Sequence, residues 1–201
     1  MSTFEVNRDK YFSCETGMLK GSLLRLAGPS LALRLINLDD SAFVHGLRVN
    51  SKFNKYLSTT YGTVIEQENW IKKYKTREAS GTELYYIIER VDGIRCGTVR
   101  LTNIRPGCDL TYESWILDDN KPSKAALESA LLALTLGFEL LKCEEAHADV
   151  RINNTRAEEN YRRLGMIETH RTDDDIFFVV KKSRFEKDKI GYKSILSAEG
   201  G

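Results

Sequence analysis

Residues 154–166 read NTRAEENYRRLGM, and this stretch decides the fold. Thr155 and Glu158 have the spacing of a capping box, in which two side chains satisfy free backbone N–H groups at a helix start. An apolar series at helical spacing follows and ends in glycine: Ala157, Tyr161, Leu164 and Gly165. Glycine commonly closes a helix, so the stretch predicts a short capped helix with one apolar side.

Strand-like runs flank this helix. Ala146–Val150 precedes it, and the run IFFVV over Ile176–Val180 follows it. Upstream, turn signals (DG, then PG) separate three further runs: Leu84–Val91, Ile94–Ile104 and Asp109–Leu117. Turn residues between strand-like runs indicate hairpins, so these runs predict an antiparallel meander that leads into a strand-helix-strand crossover.

Two longer helices complete the pattern. Thr63 and Glu66 form a second capping box, which predicts a helix behind it. Pro122 suits a first helical turn, and the apolar stripe behind it predicts a helix over residues 122–141. Asp39 and Asp40 can cap a further helix that runs to about Val49. With a first strand at residues 31–36, the order is β-α-α-β-β-β-α-β-α-β-β. We predict an α/β (α+β) fold with a mixed, mostly antiparallel sheet of about seven strands and helices on both faces.

Composition excludes several classes of protein. Lys plus Arg number 30 and Asp plus Glu 29, so no nucleic acid or anionic membrane is expected as a partner. The four cysteines are scattered without a CxxC pair, which predicts no metal site and reduced thiols in a cytoplasmic protein. The N-terminus lacks the apolar core of a signal peptide, and the longest apolar run is too short to span a bilayer.

Domain boundaries follow from where the periodicity begins and ends. Residues 1–30 have no clear period and are expected to form an N-terminal extension. The domain itself is expected over residues 31–183. Residues 184–201 are rich in charge and are expected to form a frayed tail.

The residues around the 154–166 helix resemble the GNAT superfamily of acetyl-CoA-dependent N-acetyltransferases. Five residues fall in register with its motif, and Met166 stands where Phe is usual: Asn154, Ala157, Tyr161, Leu164 and Gly165. Trp115–Leu117 resembles the end of that fold's fourth strand, and Glu128 also falls where many relatives carry Glu. The resemblance covers residues 31–183 and is closest to the branch acting on ribosomal-protein N-termini, polyamines and amino-sugar nucleotides. The alternative is a capped amphipathic helix that uses Tyr161 and Leu164 only for packing.

The resemblance implies how acetyl-CoA would bind. Strands 4 and 5 of this fold splay apart, and the pantetheine arm would pair with exposed backbone of Trp115, Ile116 and Leu117. The pyrophosphate would lie at the start of the helix behind Pro122, where free N–H groups and the helix dipole favour an anion. The residues expected to hold it are Lys121, Ser123, Lys124 and Ala125. The glycines usual in this turn are replaced, so an ordinary helix start with solvated lysines is the alternative.

The resemblance also implies catalytic roles. Tyr161 would face the departing sulfur as general acid. Asn154 would bind the pantetheine arm, or simply cap the helix. Glu113 is expected as general base, because alternation would place it on the same face as Trp115 and relatives often carry a carboxylate on that face. The Glu of those relatives usually stands two residues earlier, where this chain has Thr111. A solvated strand glutamate is the alternative.

The expected reaction is transfer of an acetyl group to a primary amine of a small polar acceptor, with an amino-sugar nucleotide as the leading class. Residues 50–70 are expected to line the acceptor side, where Tyr56 and Tyr61 could stack on a sugar or base. Two alternatives remain open: acetylation of a protein N-terminus, and a GNAT-fold binding module without turnover. The expected assembly is a monomer or homodimer.

Overall fold

A mixed sheet of eight strands organises the structure, a computed structural model that describes residues 25–57 and 62–197. The strands are β1 (Leu26–Ala27), β2 (Leu31–Leu35), β3 (Leu84–Arg90), β4 (Arg95–Arg105), β5 (Asp109–Leu117), β6 (Glu145–Arg151), β7 (Ile167–Arg171) and β8 (Asp175–Lys181). Their order across the sheet is β1-β2-β3-β4-β5-β6-β8-β7, and all neighbours are antiparallel except β5 and β6.

Helices cover both faces of this sheet, as predicted. They are α1 (Ser41–Val49), α2 (Ser51–Asn54), α3 (Val64–Ala79), α4 (Ala125–Thr135), α5 (Thr155–Arg163) and α6 (Lys182–Ser197). A 3-10 turn (Leu38–Asp40) precedes α1, and a π-helical turn (Leu136–Leu140) extends α4. The capping box predicted at Thr63 and Glu66 is present at the start of α3.

Two apolar cores separate the helices into layers. The larger core joins α4, α5 and α6 to one face of the sheet, and the smaller one joins α1 and α3 to the other. Alternation along β3 divides neighbouring residues between them: Tyr86 belongs to the larger core, whereas Tyr85 and Ile87 belong to the smaller. The prediction of a mixed, mostly antiparallel sheet with two covered faces is therefore confirmed.

The parallel pair of β5 and β6 is short. Pairing runs from Asp109 and Glu145 to Thr111 and His147. Within the described residues it stops there, although β5 continues to Leu117 and β6 continues beyond the last pair. The two strands thus separate and leave a gap bordered by backbone, which is the splay expected between the fourth and fifth strands. The added strand β1 shifts the numbering by one.

Both ends of the domain differ from expectation. The sheet begins at Leu26, upstream of the boundary expected at residue 31, because β1 pairs with β2. The expected tail after residue 183 is instead helix α6, whose Phe185 is fully buried against Phe138 with ring centroids 5.1 Å apart. Tyr192 also donates to the carbonyl of Arg163 at 3.0 Å. A few apolar anchors at helical spacing therefore order a segment whose overall composition is charged.

Candidate active site

A cavity of about 660 Å³ opens where β5 and β6 separate. It is lined from both faces of the sheet, because side chains of α1 and α3 border one end and residues of α5 border the other. Four of the predicted site residues lie on its wall: Glu113, Trp115, Asn154 and Tyr161. The gap thus connects the two sheet faces at the position where the sequence motifs converge.

Tyr161 lines this cavity and is buried, with 5% of its surface exposed. Its ring stacks on Trp115 with centroids 6.4 Å apart and meets Tyr112 and Phe178 edge-on. Among the described residues, nothing hydrogen-bonds its hydroxyl. Burial raises the pKa of the Tyr161 hydroxyl above its usual value, and the nearby carboxylates of Asp149 and Glu113 raise it further. The hydroxyl therefore stays protonated at neutral pH.

Glu113 and Trp115 lie on opposite faces, so the expectation that they share one face is wrong. A β-bulge separates them: Thr98 pairs with Ile116 and Arg100 pairs with Glu113, which gives β5 one extra residue. Ser114 absorbs the irregularity with a left-handed φ of 49°. Glu113 therefore lies beside Arg100 on the α3 side, at 3.1 Å from its guanidinium.

Trp115 faces the α4 side as a consequence of the bulge. Its indole N–H donates to the Ser129 hydroxyl at 3.2 Å, and that hydroxyl in turn donates to the Ala125 carbonyl at 2.7 Å. The ring that stacks on Tyr161 is thereby held to α4. This chain of contacts fixes the orientation of the aromatic wall of the cavity.

Asn154 caps α5. Its side-chain oxygen accepts from the Ala157 N–H at 3.3 Å, so Asn154, and not the predicted Thr155, is the N-cap residue. The capping box predicted from Thr155 and Glu158 is absent, since Thr155 is already helical and Glu158 instead accepts from Arg162.

The residues expected to hold pyrophosphate lie outside the cavity lining, as do Ile116 and Leu117. Helix α4 begins at Ala125 and not at Pro122, because the Ala125 N–H closes a turn onto the Pro122 carbonyl at 3.1 Å. The ammonium of Lys121 donates to the Asp118 carbonyl at 2.9 Å, and that of Lys124 to the Ile195 carbonyl at 2.8 Å. Ser123 lies between them in the same turn.

Several residues of the cavity were not singled out from the sequence. Asp149 on β6 has no hydrogen bond or ion pair within the described part of the chain. Arg100 lies over the Trp70 ring at 5.2 Å, and His45 joins the wall from α1. Alternation along β6 places Asp149 on the face opposite to that of the buried Ala148. The sequence predicts this alternation, but Asp149 becomes a candidate site residue only once the β5–β6 gap is known.

Some of residues 50–70, which were expected to line the acceptor side, do line the cavity. Tyr56, Leu57, Glu66 and Trp70 line the cavity, whereas Tyr61 lies outside the described residues. Within residues 25–57 and 62–197, no group of three or more His, Cys, Asp or Glu side chains could hold a metal ion. No helix in this part of the chain combines the length and the apolar content needed to cross a membrane.

Comparisons with known proteins agree with this geometry. The acetyltransferase (GNAT) domain family matches residues 30–167. FdhC, described as a nucleotide-linked sugar GNAT, is 35% identical over 85% of this chain and 97% of its own, with a TM-score of 0.78. The spermidine N-acetyltransferase of Vibrio cholerae, solved with CoA and spermine, is 20% identical over 78% of this chain and 98% of its own, with a TM-score of 0.68.

More distant structures share the fold. A GNAT-family acetyltransferase from Bacillus anthracis is 16% identical over 80% of this chain and 99% of its own, with a TM-score of 0.67. No curated protein sequence matches the chain significantly. The family match covers most of the domain and includes the Asn154-to-Gly165 motif, which confirms the resemblance drawn from that motif. The chain belongs to the GNAT acetyltransferase family.

Proposed function

We propose that this protein transfers the acetyl group of acetyl-CoA to a primary amine of a small polar acceptor, with a nucleotide-linked amino sugar as the leading class. The observation that carries the proposal is the cavity through the β5–β6 gap, which has an aromatic end at Tyr161 and Trp115 and a charged end beside α1 and α3. The similarity to FdhC, described as a nucleotide-linked sugar GNAT, supports the choice of acceptor.

The gap fits the pantetheine arm of acetyl-CoA. Beyond Thr111 the edge of β5 that faces β6 has no strand partner within the described residues. An extended ligand can pair with such an edge as an added strand. Trp115, Ile116 and Leu117 would supply that backbone, and the bulge at Ser114 leaves main-chain groups of β5 unpaired with β4. One of these N–H groups would polarise the thioester oxygen.

For the pyrophosphate we propose the turn before α4. The N-terminus of a helix attracts anions, and Lys121 and Lys124 bring positive charge to this turn. Both ammonium groups now bond backbone carbonyls, so they would exchange these bonds for phosphate oxygens. Ser123 would contribute its backbone N–H group, and the Ala125 N–H would exchange its bond to the Pro122 carbonyl for a phosphate oxygen. Asn154 would contact the arm from the opposite wall.

The charged end of the cavity suits a phosphorylated acceptor. Arg48, Arg100 and Arg151 line it, and arginine is the side chain that best matches phosphate oxygens. Tyr56 adds an aromatic ring on which a base or sugar can stack, whereas the Trp70 ring is covered by Arg100 and Tyr74 and supports the Arg100 guanidinium. Carboxylates also line this end, and they would recognise the amine.

Binding of acetyl-CoA is the first expected result. At about 100 times its dissociation constant, a ligand that binds only the folded state stabilises it by about 2.7 kcal/mol. For a chain of this size we expect the melting temperature to rise by about 5–10 °C. An equal concentration of ATP is the control for non-specific adenine nucleotide binding. An unchanged melting temperature with both ligands would favour the alternative that the protein is a GNAT-fold binding module without turnover.

The acceptor can be identified by thiol release. We expect nucleoside-diphosphate amino sugars to be acetylated with a larger kcat/KM than spermidine or a peptide with a free N-terminus. The matched control is the same nucleotide sugar with a hydroxyl in place of the amine, which should release no thiol above background. Turnover of the peptide alone would replace the proposed acceptor by a protein N-terminus.

A further inference from the structure

We propose that Asp149 is the general base that takes a proton from the acceptor ammonium, an inference that rests on the proposed acetyl transfer. Asp149 lies on β6 where β6 leaves β5, so its side chain borders the gap. Ala148 and Val150 point into the larger core, which by alternation turns Asp149 to the other face, the one shared with Glu113. It therefore faces the charged end of the cavity.

Four carboxylates line the cavity, and two of them are bound elsewhere: Asp175 pairs with Arg151, and Glu66 accepts from the Thr63 N–H in the capping box of α3. The partners of the other two, Glu113 and Asp149, distinguish them. Glu113 lies 3.1 Å from the Arg100 guanidinium, so its carboxylate would have to give up this ion pair before it could take a proton. Asp149 has no hydrogen bond or ion pair among the described residues. Its strand neighbour Arg151 instead pairs with Asp175 at 3.1 Å. A carboxylate without a partner can accept a proton without first breaking an ion pair.

The surroundings of Asp149 also favour proton uptake. Partial desolvation in the cavity raises the pKa of the Asp149 carboxyl, the Asp175 carboxylate raises it further, and Arg151 lowers it. The other titratable or charged residues that line the cavity come from every element around it: Glu113, Asp175, Arg151, Tyr161, Arg100, Tyr85, His45, Arg48, Tyr56 and Glu66. A base with a raised pKa is better matched to an ammonium donor at neutral pH.

The proton balance assigns complementary roles to Asp149 and Tyr161. Asp149 accepts one proton from the ammonium and later releases it to solvent. The neutral nitrogen then forms a bond to the thioester carbonyl carbon as the carbon–sulfur bond breaks. Tyr161 gives a proton to the sulfur, and the second proton lost by the nitrogen restores the Tyr161 hydroxyl. The products are the acetamide, the free thiol of CoA and one proton.

Asp149→Asn tests the assignment, because it keeps the shape and removes the base. At pH 7 we expect kcat/KM for the amine to fall by about 10²–10⁴-fold, with the affinity for acetyl-CoA unchanged. The deficit should shrink as pH rises, since the variant depends on neutral amine already present in solution. Its kcat/KM should thus climb about tenfold per pH unit up to the pKa of the amine. Asp173→Asn, an exposed turn residue, is the matched control and should match the wild type.

The acceptor in this experiment is whichever amine the panel shows to be acetylated, so the two proposals can fail separately. Wild-type turnover of spermidine or a peptide in place of a nucleotide sugar would overturn only the proposed acceptor. Two results would overturn only the assignment of Asp149 as the base. One is a wild-type pH profile in Asp149→Asn, and the other is a loss of kcat/KM in Glu113→Gln that is large at pH 7 and shrinks as pH rises. Absence of turnover on every amine would overturn both. As a readout independent of activity, carboxyl NMR should show an aspartate that titrates above its ordinary pKa and disappears in Asp149→Asn.

Discussion

Replacing Tyr161 by phenylalanine should lower kcat by about 10²–10⁴-fold, the usual contribution of a positioned proton donor. The ring contacts remain, because Trp115, Tyr112 and Phe178 meet the ring and not the hydroxyl. We therefore expect acetyl-CoA affinity and melting temperature to stay near the wild-type values. A loss of kcat without a loss of binding indicates an interaction made only in the transition state.

The raised pKa of Tyr161 sets how the hydroxyl acts. It remains protonated through neutral pH, so it can donate a hydrogen bond to the sulfur while the carbon–sulfur bond breaks. The proton then moves only as negative charge develops on sulfur. The titration of Tyr161 should therefore cause no change in wild-type activity near neutral pH. The plot of activity against pH for the phenylalanine variant should keep the wild-type shape, with lower activity at every pH.

Tyr112→Phe is the matched control for this experiment. Tyr112 is buried next to Tyr161, and its hydroxyl has no partner within the described residues and does not reach the cavity. Because a buried hydroxyl without a partner costs about 1–3 kcal/mol, Tyr112→Phe should keep full activity and melt at the same or a higher temperature. Equal kcat values in Tyr161→Phe and the wild type would leave Tyr161 with a packing role.

The features that could be predicted from sequence are local ones. The three strands of the meander follow from strand-like runs separated by turn signals, such as the Asp92-Gly93 turn, where Gly93 adopts a φ of +85° that favours glycine. The Thr63 capping box and the helix closed by Gly165 depend only on residues within one turn of each other. The gap between β5 and β6 was predicted from the family resemblance, because the short-range pattern of apolar residues does not indicate where two strands separate.

The features that sequence did not predict depend on contacts between distant segments. The bulge at Ser114 reverses Trp115 relative to Glu113, and only its register against β4 reveals it. The order of α6 depends on Phe185 packing against Phe138, far away in the chain. The sequence places Asp149 in a strand, but only the structure shows that this residue lies beside the β5–β6 gap. Each of these requires the strand pairing before the side chain can be interpreted.

A buried ion network beside the site gives the largest expected effect on stability. The Arg34 guanidinium bonds both oxygens of Asp40, at 2.7 and 2.8 Å, and donates to Glu89 at 2.8 Å. The side chains of Asp40 and Glu89 are only 2% and 7% exposed. Arg34 thus joins β2 to β3 and to the start of α1, the helix that supplies His45 and Arg48 to the cavity.

Removal of the Arg34 guanidinium should lower the free energy of unfolding, because the buried carboxylates of Asp40 and Glu89 lose a partner. Arg34→Met keeps the aliphatic stem, so the main change is a lost partner for two buried charges. Breaking a buried ion pair from one side costs about 3–5 kcal/mol, and we expect about 3 kcal/mol here because Arg95 still contacts Asp40 at 3.3 Å and Arg25 still contacts Glu89. Urea unfolding measures this loss. Arg163→Ala, which removes an exposed pair with Glu159, is the control and should cost less than about 1 kcal/mol.

The pH dependence of stability separates loss of charge pairing from loss of packing. Burial alone would raise the pKa of Asp40, but hydrogen bonds from Arg34 and from the Asn37 N–H outweigh burial and lower it. In the wild type this group therefore stabilises the fold above its ordinary pKa, and the stability is lost as pH falls through the lower, folded-state pKa. Without Arg34 burial dominates, the folded-state pKa rises, and protonation relieves the buried charge. The stability difference between Arg34→Met and the wild type should therefore narrow as pH falls from 7 toward about 4. A difference that is constant with pH would mean that Arg34 contributes packing and not charge.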